Sequence, residues 1–399
     1  MTETRSGVLA AAAGRLGTET AFGVLARAQE LERAGRSIVH LEIGEPDFET
    51  PPHVVAAAVD ALGRGLTHYC ASAGIPELRE AAACYFRRTR ALDVDAGDCL
   101  VATGAKPFVF FTVLATCGPG DEVVVPDPGF PIYESAVRYA GATPVPVPLL
   151  DRDGFTLDPD RLRALLSPRT RLVVVNAPHN PTGGSLDAAA ADAVASVLEE
   201  TDAWVLLDEI YSQLQYDGPF ASLAAGGRLR QRAIVLDGLS KAYAMTGWRC
   251  GFAAVPPPLV EPLVRFFVNS TSCVPPFVQH AGVAALEGPQ DFVETMRDEL
   301  LARRALLVEG LNALPGVRCA VPAGAFYAFP DVSALPLSAE RVAEELLESA
   351  GVATLAGTAF GAGGAGHLRL SYATSRDHLV EALLRVSDYV AGLAEPTGR

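Results

Sequence analysis

Val205-Leu206-Leu207-Asp208-Glu209-Ile210-Tyr211 is an apolar run that stops in carboxylates. Its Val/Leu content and length suit a strand buried on both faces. A carboxylate at the end of such a strand either meets a cationic partner or caps the next helix. Runs of the same kind recur at 99–103, 122–126, 143–147, 172–176, 234–238 and 251–255. Stretches with helical spacing, such as 186–200, separate several of them. The alternation predicts an α/β fold with a mostly parallel seven-stranded sheet between helices. Ligands in such sheets sit beyond the carboxyl ends of the strands. That rule puts Gly104, Asn180, Asp208 and Lys241 on one edge.

The flanking sequence predicts helices at 21–36, 52–63, 76–90 and 107–117, with a short strand at 37–43. A helix at 290–313 leads to a second region, with strands near 317–329 and 367–372 and a helix near 339–350. The expected division is an N-terminal segment 1–48 joining a small α/β domain at 290–399, and a large domain at 49–289. A chain of 399 residues, 49% hydrophobic and 20% charged, suits two domains sharing one interface.

A net charge of −15 argues against nucleic acid as the main partner, while leaving room for a local basic pocket that binds a small anion. No window approaches the roughly 20 apolar residues of a membrane span. Residues 1–19 lack the basic start and long apolar core of a secretory leader. Seven scattered cysteines without a C-x-x-C pair read as reduced thiols of a cytoplasmic protein. The seven histidines show no metal spacing, so no metal is expected.

Only two of the 32 basic residues are lysines, Lys106 and Lys241. Codon bias explains most of that. A lysine surviving such a bias is one whose amine chemistry Arg cannot supply, because Arg stays protonated. Lys241 opens Lys241-Ala242-Tyr243-Ala244-Met245-Thr246-Gly247-Trp248-Arg249, an apolar stretch expected to be a tight loop three residues past a strand. Arg249 nearby favours the neutral amine. A surface lysine would more often stand among polar neighbours.

Two further segments reach the same edge. Asn176-Ala177-Pro178-His179-Asn180-Pro181-Thr182-Gly183-Gly184 is a turn that fixes the direction of an amide. Gly104-Ala105-Lys106-Pro107 opens a helix whose free N–H groups suit a phosphate, although it is no P-loop.

Together these segments resemble the class I/II aminotransferases of fold type I, nearest the bacterial aspartate/aromatic branch. The resemblance runs from Leu41 to Ser375. It is carried by G-E-P-D-F at 44–48, Y-x-x-x-x-G-I-P-E-L-R-E at 69–80, P-G-D-E-V at 119–123 and N-x-P-H-N-P-T-G at 176–183. It continues with D-E-I-Y at 208–211, S-K-A-Y-A-M-T-G-W-R at 240–249, G-A-F-Y at 324–327 and H-L-R-L-S-Y-A at 367–373. It implies pyridoxal 5′-phosphate (PLP) as cofactor, with Lys241 as its Schiff-base lysine. Asp208 would pair with the ring nitrogen and make the ring an electron sink. Tyr211 and Asn180 would hold the ring hydroxyl, and Phe130 would stack on the ring. Gly104, Ala105, Lys106, Ser240, Arg249 and Tyr69 of a partner subunit would surround the phosphate. Arg369 would grip the substrate α-carboxylate, helped by Asn180 and the Gly44 backbone. The shared site implies a homodimer. Gly238 departs from the pattern, since many members carry Ser or Thr there.

The implied reaction is ping-pong transamination between an L-amino acid and a 2-oxo acid. Lys106 lies where relatives using dicarboxylates place a lysine for the distal carboxylate, so acidic substrates stand ahead of aromatic ones. Asn269, Ser270 and Pro275-Pro276 of the partner would shape that pocket. The same residues would serve PLP-dependent elimination, replacement or carbon–carbon bond formation. A ligand-sensing regulator would need a winged-helix region before Ser37, for which there is no room.

Overall fold

Residues 12–394 are described in the computed structural model, so the start of the N-terminal stretch read for a leader lies outside the described residues. In chain order the strands are β1 Val39–His40, β2 Cys99–Ala102, β3 Glu122–Asp127, β4 Thr143–Pro148, β5 Thr170–Asn176, β6 Trp204–Asp208, β7 Ala233–Gly238 and β8 Gly251–Ala254. Four short strands follow, β9 Tyr327–Ala328, β10 Val352–Ala353, β11 Leu355–Ala356 and β12 Leu368–Ser371. The large sheet has the order β2-β8-β7-β6-β5-β3-β4. All its pairings are parallel except those of β8 with β2 and β7.

Period-two alternation divides each strand between two cores. Val173, Val175, Val205, Leu207 and Val235 pack into one cluster with the helix Pro76–Arg90. Leu172, Val174, Leu206, Ile234 and Leu236 pack into the other with the helix Lys106–Thr116. Each such side chain, removed from water, contributes about 1.5–3 kcal/mol.

The register fixes the functional edge. Asn176 lies opposite Asp208, Asp208 opposite Leu236, and Gly238 opposite Gly251, which in turn faces Ala102. The carboxyl ends of β2, β5, β6 and β7 therefore meet. The Gly238 departure has a packing cause. A Cβ there would lie 3.1 Å from Ile210 Cδ1 and 3.2 Å from the Gly251 Cα, so the crossing with β8 leaves little room for a side chain.

Three expectations are corrected. The strand expected over 37–43 is limited to β1, which pairs with β10. The strand expected over 317–329 shrinks to β9, because Arg318 and Gly324 pair only in isolated bridges, with Asp331 and Gln215. Lys241 sits on a one-turn helix, Leu239–Ala242, instead of in a loop. Helices at Ile132–Ala140, Pro257–Ser270, Pro276–Glu287 and Arg376–Ala394 carried no prior assignment. No described helix is long and apolar enough to cross a membrane. All seven cysteines are free thiols; Cys99, Cys250 and Cys319 are buried, and Cys84 is exposed.

A buried ionic cluster supports the edge from below. Arg90 donates to Glu209 Oε2 at 2.6 Å and pairs with Asp237, and all three side chains are buried. Ser222 and Tyr85 complete it, donating to Glu209 at 2.6 Å and to Asp237 at 3.0 Å. Glu209 follows Asp208 directly, and Asp237 precedes Gly238, so one guanidinium fixes both chemistry-bearing loops. Arg90→Met should destabilise the cofactor-free protein by about 3–5 kcal/mol, because two carboxylates stay buried without their cation. A urea-unfolding midpoint unchanged from the parent would contradict this.

Candidate active site

A cleft of about 520 Å³ opens at this edge. Gly44, Ala105, Lys106, Phe130, Asn180, Asp208, Tyr211, Ser240, Lys241, Arg249 and Arg369 all line it. Gly104 stands behind Arg249, at a φ of +94°, where the adjoining Gly251 leaves only 2.7 Å between a Cβ and the Gly104 carbonyl oxygen. Tyr69 is not among the lining residues and is 90% exposed.

Lys241 Nζ donates to the Gly44 carbonyl at 2.6 Å. Burial pushes its pKa down to about 8, opposed by Glu45 and reinforced by Arg369, Lys106 and Arg249. Asp208 closes β6 with its carboxylate in the cleft. Its Oδ2 accepts from the Tyr133 hydroxyl at 2.7 Å, and burial raises its pKa to about 6. It caps no helix, and among the described residues it forms no salt bridge. The Asn176 amide donates to the Asp208 carbonyl at 2.8 Å and accepts from the Asn180 N–H at 2.9 Å, tying the turn to the strand end.

Arg369 packs on Tyr327 and Phe360, whose ring centroids lie 4.7 and 4.8 Å from Cζ. It donates to Asn180 Oδ1 at 3.3 Å and to the Glu42 carbonyl, while its buried Nε has no partner. The Tyr211 and Tyr327 hydroxyls share a 2.7 Å hydrogen bond. Gly44 admits the Tyr327 ring, since a Cβ would fall 2.8 Å from Cζ.

Among the described residues the Arg249 side chain donates a hydrogen bond only to the Thr246 carbonyl, at 2.7 Å, and forms no ion pair. It projects beside the helix Lys106–Thr116, whose N-cap is Ala105 and has no side-chain cap. Ser240 adds a hydroxyl from the one-turn helix. This corner therefore suits a small anion. Lys106, at the same corner, is ion-paired with Glu19.

The donor set fits PLP. A buried carboxylate without a cation, a desolvated amine, an unpaired guanidinium at a helix N-terminus and an orphaned Arg369 Nε converge in a space of suitable size. Tyr133, Tyr327, Asn176 and Glu19 were not singled out from sequence. Tyr327 and Asn176 stood inside quoted motifs without an assigned role; Tyr133 and Glu19 carried no local signal. Elsewhere, Asp151, Asp331 and His367 bring ligand atoms within 4.8 Å of one another, but Arg318 already pairs with both carboxylates.

Comparison with known families matches residues 36–386 to "Aminotransferase class I and II". An aspartate/prephenate aminotransferase of Thermus thermophilus is 43% identical over 365 residues, 91% of this chain and 93% of its own length. An aspartate aminotransferase of Pyrococcus horikoshii is 37% identical, over 90% and 93% of the two chains. The structure of Thermus thermophilus aspartate aminotransferase with maleate superposes with a TM-score of 0.92 at 40% identity, covering 96% of this chain and 99% of that one.

Proposed function

The chain belongs to the class I and II aminotransferases, PLP-dependent enzymes that move an amino group between an L-amino acid and a 2-oxo acid, and on that premise we propose how its own residues divide the work. The bound cofactor supplies a carbonyl that takes up the amino group and a ring that accepts electrons. Lys241 would carry the cofactor, and its Nζ would take the substrate's α-proton and later return one. Asp208 keeps the ring nitrogen protonated and is itself oriented by Tyr133. Tyr211 and Asn180 hold the ring hydroxyl, and Phe130 covers the ring face. Arg249, Ser240 and the Gly104-Ala105-Lys106 backbone hold the phosphate, joined by the partner's copy of Tyr69 in a homodimer. The 90% exposure of Tyr69 supports that last role, since nothing in its own subunit covers it. Arg369 binds the α-carboxylate, and its orphaned Nε and neighbour Asn180 support this.

We assign residues 49–289 to the large domain, with 1–48 joining 290–399. Packing of Val39 and Leu41 with Leu300, Leu307 and Leu370 supports the N-terminal assignment. Seven free thiols suit the cytoplasm.

Acidic donors stand ahead of aromatic ones. Lys106 at the cleft rim supports this, as do the names of the Thermus and Pyrococcus relatives and the dicarboxylate in the Thermus structure. The convergence of Lys241, Asp208 and Arg369 in one cleft carries the functional reading. To test it, the visible band of the purified holoenzyme is followed after adding one donor at a time, without an oxo acid. L-aspartate or L-glutamate should abolish the band and release one equivalent of oxo acid, at lower concentration than L-phenylalanine requires. Lys106→Met should reverse that order. Ammonia release with a persistent band would overturn the reading.

A further inference from the structure

Glu19 reaches the cleft from the stretch just before the helix Thr20–Arg33, and it lies on Lys106. Its position is built. The preceding strap is tied to the helix Ile132–Ala140, with the Gly17 N–H donating to Ser135 Oγ at 2.9 Å and Arg15 donating to the Tyr139 carbonyl at 3.1 Å. Glu19 occupies the N-cap position of the helix Thr20–Arg33, yet its side chain does not cap that helix. The carboxylate goes to Lys106 instead, where the ammonium also faces the Phe130 ring at 5.2 Å and the Phe22 ring at 6.0 Å. A carboxylate is thus fixed at the place where a substrate's distal carboxylate would seek its cation.

Charge balance in the cleft sharpens the point. Its cations are Lys106, Lys241, Arg249 and Arg369, and its anions are Glu19, Glu45 and Asp208. Arg249 faces the cofactor phosphate, Arg369 the α-carboxylate, and Lys241 the cofactor carbonyl. Only Lys106 remains for a second substrate carboxylate, and Glu19 already neutralises it. A dicarboxylate must therefore displace Glu19, whereas a neutral or aromatic side chain need not.

We propose that Glu19 is a specificity-determining residue that competes with the distal carboxylate of a dicarboxylic substrate for Lys106, narrowing the preference for acidic over aromatic substrates. The inference rests on the Lys106 reading above. Succinate, a dicarboxylate without an amino group, isolates the effect when titrated calorimetrically into the holoenzyme. Glu19→Gln should bind succinate about tenfold tighter, the scale of one well-placed charge interaction, and raise kcat/KM for L-aspartate relative to L-phenylalanine by a similar factor. In a Lys106→Met background the same substitution should change neither quantity, since the contested cation is gone. Weaker succinate binding in Glu19→Gln, or no change in either ratio, overturns the inference. If Lys106→Met lowers the aspartate preference while Glu19→Gln does nothing, Glu19 alone loses its role. If Lys106→Met leaves the preference intact, the Lys106 reading falls and this inference with it.

Discussion

In Lys241→Arg, release of oxo acid from an amino-acid donor should slow by about 10⁴-fold or more, the upper range for loss of a general base. The substitution keeps a cation of similar reach but removes both functions of the amine. A guanidinium neither forms a stable Schiff base nor gives up a proton near neutral pH. Burial among Arg369, Lys106 and Arg249 lowers the Lys241 pKa to about 8. Adding PLP to the cofactor-free protein should therefore form the lysine-bound species faster as pH rises, with a midpoint near pH 8. A free lysine would show its midpoint above pH 10. Stopped-flow absorbance reads both quantities. Appreciable turnover in Lys241→Arg would show that another group moves the proton.

Legibility in the sequence followed the range of the contacts. The large sheet could be read because each central strand is apolar on both faces, so Leu172-Val173-Val174-Val175 and Val205-Leu206-Leu207 declare themselves locally. Lys241 stood out because lysine is scarce here, and Asp208 because it ends an apolar run. The small domain could not be read in detail. Its strands β9, β10 and β11 are two residues each, too short for any period. Tyr133 reaches Asp208 across 75 residues and Glu19 reaches Lys106 across 87, and neither has a flanking pattern that points at its partner. Lys106 can be read as a cation from the sequence, but its pairing with Glu19 depends on a segment whose docking only the fold reveals.

Asp208→Asn should separate function from stability, because one carboxylate acts on each in opposite directions. In the proposed scheme catalysis requires it: an amide could not keep the ring nitrogen protonated, and loss of one preorganised electrostatic group costs about 10²–10³-fold in kcat. For folding without cofactor the carboxylate is a liability. Burial raises its pKa from 3.8 to about 6, with Asp237 adding to the rise while Tyr133, the Ile210 N–H and Lys241 oppose it. Between those two values the folded protein holds a proton that the unfolded chain has lost. The native state then binds more protons, so stability falls as pH rises through about 4–6 and stays lower above it. Asn has no charge to bury and keeps a hydrogen-bonding oxygen for Tyr133. At pH 7 the cofactor-free Asp208→Asn protein should therefore unfold at higher urea than the parent, by an amount on the order of 2 kcal/mol. At pH 4 the difference should largely vanish. PLP should narrow the gap, since a protonated ring nitrogen gives the parent carboxylate the cation it lacks alone. A variant that is less stable than the parent at pH 7 without cofactor would mean that Asp208 is already compensated within the protein, and the ring nitrogen would lose its claim to be the missing partner.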